Sequence, residues 1–219
     1  RGLFWYYLEQ VPEPPRVRPD SSCPLVHMTS RELETCALRV LYFRNRIAVE
    51  FFHSITDGNG GLVFLKTLTA AYVSLRDGIS IPPEEGVLDW HMPPDPAEWE
   101  DSFLKVAGQV SMSRREENAF RIQGPREQDG FLHLTVATVS SEALRTLAKA
   151  HGVTITAFLA AVMLQAIMEL RPRRSHRWAK VTIPVDLRRL FESRTLRNFA
   201  LTVNVGVDPR LGAYSLDEL

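Results

Sequence analysis

The sequence predicts a mixed α/β chain in two segments. Three observations support this prediction: two β-rich runs share a short turn, strand and helix patterns then alternate, and a proline-rich irregular stretch separates the two halves. The chain has 219 residues, of which 45% are hydrophobic and 24% charged. This composition is typical of a globular protein and excludes disorder, collagen and a disulfide scaffold.

Charge, hydrophobicity and cysteine content limit the partners, metal sites and cell compartment that the sequence predicts. Lysine plus arginine (26) equal aspartate plus glutamate (26), so no net charge attracts nucleic acid or an anionic membrane. No apolar run approaches the roughly 18 residues of a membrane span, and the histidines are too scattered to predict a metal site. Cys23 and Cys36 lack the paired spacing of a zinc site. We expect two free thiols and a cytoplasmic location.

The first half predicts a strand pair. Residues 11–24 hold five prolines and predict an extended connection. Residues 36–43 and 46–53 are β-rich and are separated by Arg44 and Asn45, which suit a hairpin turn because Asn tolerates positive φ. The second strand would carry His53 to the end of an apolar face.

A tight turn and a helix follow the strand pair. Residues 55–61 have turn composition, and the next segment has a helical apolar stripe that ends at Asp77 and Gly78. The stripe consists of Leu62, Leu65, Leu68, Tyr72 and Leu75. Residues 79–100 are rich in proline and predict an irregular crossing. The pattern of residues 105–126 fits a helix and a loop equally well.

The second half predicts a strand, two helices and two further strands. The β-rich run 131–139 precedes a helix capped at Ser140 or Ser141, which ends at His151 and Gly152. A second helix, capped by Thr154 or Thr156, is apolar nearly all round over residues 157–170 and predicts burial on more than one side. Residues 178–185 and 198–207 predict strands joined by a basic connection.

One group of residues breaks the structural pattern. His53 stands at a predicted strand end, Asp57 follows four positions later, and Gly58 lies where the chain must turn. A neutral imidazole can take a proton from a hydroxyl or amine near neutral pH when it is held in one orientation. A histidine beside a turn aspartate can equally form a structural pair. Spacing alone leaves both interpretations open.

Three segments resemble a known superfamily. FFHSITDGNGG (residues 51–61) resembles the HxxxDG signature of acyl-CoA-dependent acyltransferases related to chloramphenicol acetyltransferase and to condensation domains, in particular their alcohol acetyltransferase branch. Residues 144–170 resemble the helix, glycine, threonine and buried-helix unit of these proteins, and residues 180–209 their PVDLR and RNF strands. The resemblance implies a two-domain α/β (α+β) sandwich, seen here as a partial chain.

The resemblance also implies a domain organisation. Residues 1–104 would form part of an N-terminal domain that carries HxxxDG, residues 105–129 a linker or crossing, and residues 130–219 the beginning of a C-terminal domain. Relatives continue beyond both ends of this chain. We therefore expect an internal fragment that is weakly active or inactive alone, with an interdomain face that could drive self-association.

The resemblance implies a role for each residue of the motif. His53 would be the general base that deprotonates an alcohol or amine, which then attacks the thioester of acyl-CoA. Asp57 would be structural and would pair with an arginine, for which Arg188 of PVDLR is the candidate. Gly58 would allow the turn. Acyl-CoA is then a co-substrate, and no permanently bound cofactor or metal is implied.

Two alternatives stay open beside this reading. Phe52 occupies the place of the first histidine in the HHxxxDG pattern of condensation domains, which favours a simpler acyltransferase. Acyl transfer from a carrier-protein thioester is the first alternative, and a non-catalytic binding module of the same fold is the second. Arg197 and Asn198 are further candidates for supporting the site.

Overall fold

A computed structural model describes residues 9–20, 26–106, 108, 116–125, 127 and 134–219. The described part holds six α-helices and two small sheets, which confirms the mixed α/β class. Contacts between residues define two compact units: Arg1–Val110 with Asp186–Ala200 (unit 1), and Ser111–Val185 with Leu201–Leu219 (unit 2). The segment 186–200, which the sequence groups with the C-terminal half, therefore makes its contacts in unit 1.

Unit 1 contains a three-stranded sheet. Strand β1 (Val17–Pro19) is parallel to the central strand β2 (Leu38–Phe43), and β2 is antiparallel to β3 (Arg46–Phe51), with Val40 opposite Val49. The predicted antiparallel pair is confirmed. The proline-rich segment contributes β1 at the sheet edge, where a missing N–H is tolerated.

Two details of the hairpin differ from prediction. The residue with positive φ is Arg44 (52°), whereas Asn45 was expected to adopt it. Strand β3 ends at Phe51, so His53 lies in a turn beyond the strand and not on it. The register explains the shorter strand, because Leu38, the first residue of β2, is already opposite Phe51.

A short helix that the sequence analysis missed precedes β2. Helix α1 (Ser30–Thr35) begins with a capping box in which Thr29 and Glu32 bond each other's backbone N–H. The T-x-x-E spacing was the signal that could have revealed it. The Thr29 N–H and the guanidinium of Arg39 lower the pKa of Glu32 to about 2. Arg39 also pairs with Glu50 of β3 at 2.9 Å, which joins helix and sheet.

Helix α2 (Gly58–Asp77) follows β3 and ends, as predicted, at Gly78 with φ of 66°. It packs on β3 through Phe64, whose ring meets Phe51 edge-on at 5.5 Å. The predicted stripe is therefore only partly right, because Leu75 is 87% exposed. The buried residues of the helix are Gly60 and Ala70, and neither belongs to the predicted stripe. Other members of the stripe that are exposed are Leu62 and Tyr72.

The crossing after α2 is irregular, as predicted. Residues 79–101 contain one 3₁₀ turn, Pro96–Glu98, and an isolated bridge between Glu84 and Val87. Helix α3 (Ser102–Val106) follows. Of the stretch that the sequence left open, residues 116–125 contain no helix.

Unit 2 contains the two predicted helices and the last two of the three predicted strands. Helix α4 (Ser141–Ala150) and helix α5 (Ile155–Leu170) are capped by Ser140 and Thr154, whose hydroxyls accept backbone N–H groups. Strands β4 (Ala179–Asp186) and β5 (Ala200–Val207) pair in a second sheet. The connection between them enters unit 1 and contains the short helix α6, Arg188–Phe191.

The expected burial of α5 on several sides is wrong. Leu164 packs against Ala179 and Val181 of β4, so one face of the helix covers the small core of unit 2. The opposite residues, Leu159 and Met163, are exposed. A single sheet covers only one face of a helix, and burial on several sides would need a second layer against the face of Leu159 and Met163.

The strand predicted at residues 131–139 is absent where the structure describes it. Residues 134–140 have no strand, and Val136 is 78% exposed. A β-rich run needs a neighbouring strand for its hydrogen bonds, and no described strand lies beside this one. Residues 131–133 lie outside the described ranges.

Two further findings concern membrane spans and thiols. In the described ranges, no single helix has both the length and the apolar composition to cross a bilayer; α4 and α5, bent by 81°, meet those criteria only when taken together. Cys36 is a free thiol among the described residues, and Cys23 lies outside them.

Candidate functional site

The six residues between β3 and α2 place histidine and aspartate in different environments. His53 is exposed in the turn, whereas Thr56 and Asp57 are buried. The reason is local: Asp57 is the N-cap of α2, so its side chain folds back onto the first helical N–H groups instead of pointing toward solvent.

The Asp57 carboxylate accepts hydrogen bonds on both oxygens. Oδ1 receives the backbone N–H groups of Asn59 (3.1 Å) and Gly60 (3.2 Å). Oδ2 receives the backbone N–H of Phe199 at 2.8 Å. Arg188 then binds both oxygens at once, with Nη1 2.8 Å from Oδ2 and Nη2 3.1 Å from Oδ1. This bidentate geometry is the strongest form of an arginine–carboxylate pair.

Arg188 uses every N–H that a guanidinium has. Besides the two bonds to Asp57, Nη1 donates to Asp186 Oδ1 at 2.8 Å, and Nη2 and Nε donate to backbone carbonyls. The carbonyls belong to Arg197 (2.7 Å) and Thr195 (2.6 Å). A buried guanidinium with all five donors satisfied is a fixed structural element.

Electrostatics agree with a permanent ion pair. Burial alone would raise the pKa of Asp57, but the hydrogen bonds from Arg188, Phe199 and Gly60 outweigh it and hold this pKa below its ordinary value. Burial likewise opposes the charge of Arg188, yet its bonds to Asp57 and Asp186 raise its pKa. Asp57 is therefore a charged anchor and not a group that gives or takes protons.

The segment that follows Arg188 is held by buried contacts in unit 1. The hydroxyl of Thr195, which is fully buried, donates to the carbonyl of Glu100 at 2.7 Å and accepts the N–H of Arg197. Phe199, also fully buried, packs edge-on against Phe103 at 5.1 Å. Sequence reasoning singled out neither Thr195 nor Phe199. No pattern marks Thr195, whereas Phe199 is the last residue of the RNF motif, which was the signal that could have revealed it.

The expectation for Gly58 is wrong in its physical basis. Gly58 has no positive φ, and a Cβ there would meet nothing within 4 Å, so the turn does not require glycine at this position. The turn is instead made by the cap at Asp57. Gly60 is the constrained glycine, because a Cβ there would collide with the Leu196 carbonyl and the Thr56 hydroxyl. These two groups bond each other at 2.7 Å.

His53 has one polar neighbour among the described side chains. The amide Nδ2 of Asn198 donates to the His53 carbonyl at 3.0 Å and lies 3.5 Å from Nδ1 of the ring. Arg197 directs its own side chain to Asp101, at 3.3 Å, and contributes only its carbonyl to Arg188. The structure thus brings together His53, Asp57, Arg188 and Asn198 in unit 1.

The described residues contain no group of three or more His, Cys, Asp and Glu side chains arranged to hold a metal ion. No protein-family model matches the chain, and no curated protein is significantly similar to it. The function must therefore be inferred from the chemistry of the residues described above and from the sequence resemblance.

Proposed function

We propose that this chain carries the base-bearing part of an acyltransferase that moves an acyl group, such as acetyl, from acyl-CoA to an alcohol or amine. The observation that supports the proposal is that the histidine and the aspartate of HxxxDG lie in different environments. Asp57 is buried and fully engaged by Arg188, while the imidazole of His53 is exposed. A purely structural His–Asp pair would instead have the two side chains in contact.

The proposed reaction uses His53 as general base. Its imidazole takes the proton of the acceptor O–H or N–H as the acceptor atom attacks the thioester carbonyl carbon. The tetrahedral intermediate collapses, the C–S bond breaks, and the proton on the imidazolium is returned to the leaving CoA thiolate. The products are an ester or amide and free CoA, and the histidine is regenerated without a covalent acyl-enzyme.

The proposal extends to fold and location. The resemblance supports a two-domain sandwich of the chloramphenicol acetyltransferase type, and the free thiol of Cys36 is compatible with a reducing cytoplasm. Phe52 supports acyl-CoA over a carrier protein as the donor, because it stands where the condensation-domain pattern HHxxxDG has its first histidine.

The test is release of CoA thiol from acetyl-CoA with a panel of alcohols and amines. The parent, His53→Ala and a control, His91→Ala, are each assayed in two forms. One is the 219-residue chain, and the other is the full open reading frame that encodes it. His91 is a second exposed histidine of unit 1. We expect acceptor-dependent release that falls by about 10²- to 10⁴-fold in His53→Ala and is unchanged in His91→Ala.

Melting curves separate catalysis from folding. His53 is exposed, so His53→Ala should unfold at nearly the parental temperature. A strongly destabilised His53→Ala variant would make the histidine structural. Absence of thiol release from the parent in both forms would contradict transfer from acetyl-CoA, and a phosphopantetheinylated carrier would then be assayed as the alternative donor.

A further inference from the structure

The backbone on both sides of Asn198 is tied to the buried ion pair. The carbonyl of Arg197 accepts a hydrogen bond from Arg188 at 2.7 Å, and the N–H of Phe199 donates to Asp57 at 2.8 Å. The side chain of Phe199 is fully buried as well. Asn198 therefore stands on a peptide segment that cannot shift without breaking bonds to Asp57 or Arg188.

The side chain of Asn198 then reaches the turn that carries His53. Its Nδ2 donates to the His53 carbonyl at 3.0 Å, and its Oδ1 is buried without a hydrogen-bond partner among the described residues. A buried polar atom without a partner is costly and uncommon in folded proteins. An amide kept at that cost, with its other end on His53, calls for a role beyond packing.

We infer that Asn198 is a positioning residue, through which the Asp57–Arg188 pair holds His53 in place. The inference rests on the proposed function for its consequence in turnover, but the contact itself can be tested without any reaction. Asn198 is suited to this task because its amide is a neutral donor. It can hold the backbone at His53 without adding charge beside the ring, whereas a carboxylate at this position would add a negative charge there.

The experiment compares Asn198→Ala and Asn198→Asp with the parent. The alanine variant removes the bond, and misplacement of the base should lower kcat by about 10- to 100-fold while KM stays within about twofold. The aspartate variant is isosteric but puts a carboxylate beside Nδ1. It should stabilise the imidazolium, so that the His53 ring signals in NMR titrate at higher pH than in the parent.

A matched control adds the same charge elsewhere. Asn45→Asp lies in the exposed β2–β3 turn, at the far end of β3 from His53. Six strand residues span about 20 Å, which exceeds the screening length of about 8 Å at physiological salt. Asn45→Asp should therefore leave the His53 titration where it is in the parent. The His53→Ala spectrum identifies the ring signals.

The outcomes separate this inference from the proposed function. A higher pH midpoint for the His53 ring signals in Asn198→Asp, but not in Asn45→Asp, supports the contact, even if no variant turns over acetyl-CoA. Equal titrations in the parent and Asn198→Asp overturn the inference, even if the parent is active. Parental kcat in Asn198→Ala overturns it as well. Melting temperatures within about 2–4 °C of the parent exclude a general folding defect.

Discussion

Replacement of Arg188 by alanine should destabilise unit 1 far more than loss of an ordinary ion pair. The side chain of Arg188 is 8% exposed and that of its partner Asp57 is 6% exposed, so in the folded protein these bonds replace nearly all contact with water. Removing the arginine leaves a buried negative charge without its counter-ion. The carbonyls of Thr195 and Arg197 lose their donor at the same time.

The magnitude follows from this geometry. Breaking a buried pair by removal of one partner costs about 3–5 kcal/mol of unfolding free energy. With a urea m value of about 2 kcal/mol/M, the midpoint should fall by about 1.5–2.5 M. Arg188→Lys should be intermediate, because an ammonium keeps the charge but cannot make the bidentate contact or supply five donors.

The assay is urea unfolding followed by tryptophan fluorescence in a Trp178→Phe background, which leaves the unit 1 tryptophans as probes. Arg194→Ala is the control. Arg194 also pairs with an aspartate, Asp95, at 2.9 Å and in unit 1, but it is 71% exposed. Its loss should cost at most about 1 kcal/mol. If Arg188→Ala and Arg194→Ala shift the midpoint equally, the reasoning from burial is refuted.

Three further predictions concern the same site. The folded state lowers the pKa of Asp57, so the stabilisation that its charged carboxylate provides is complete above about pH 4 and is lost as the pH falls further. The urea midpoints of the parent and of Asp57→Asn should therefore converge in acid. Gly60→Ala should lower the melting temperature through a loss of about 1–3 kcal/mol from overpacking, whereas Gly58→Ala, with open space, should not lower it; the reverse order would contradict the glycine assignment. Thr195→Val keeps the shape but removes the hydroxyl that accepts the N–H of Arg197 and donates to the Glu100 carbonyl, which keeps only the N–H of Ser102. This loss should cost about 1–3 kcal/mol in urea unfolding, against little change in Thr69→Val on the exposed side of α2.

Local patterns predicted much of the secondary structure. Helices α4 and α5 begin at capping residues that the sequence predicted, and α2 and α4 end, as predicted, at Gly78 and His151. These ends were predictable because caps satisfy backbone groups within a few residues of the chain. The β2–β3 pair was predictable for the same reason, since its turn is two residues long. The predictions that failed, such as a strand through residues 134–139, depend on neighbours that a single segment does not specify.

The candidate site was likewise predictable only in its local part. His53 and Asp57 stand out in the sequence, and Arg188 could be named only by resemblance. Nothing local shows that Phe199 and Arg188 converge on the two oxygens of Asp57, because more than 130 residues separate them from it.

The sequence by itself determined which groups are available: an imidazole, a carboxylate four residues later, and a guanidinium far along the chain. Tertiary structure alone decided how they are used. Burial, two hydrogen bonds from Arg188 and three from backbone N–H groups keep Asp57 charged and fixed. The same ion pair fixes the backbone on either side of Asn198. The physical reason is that a charge is stable inside a protein only when long-range folding brings its partners to it.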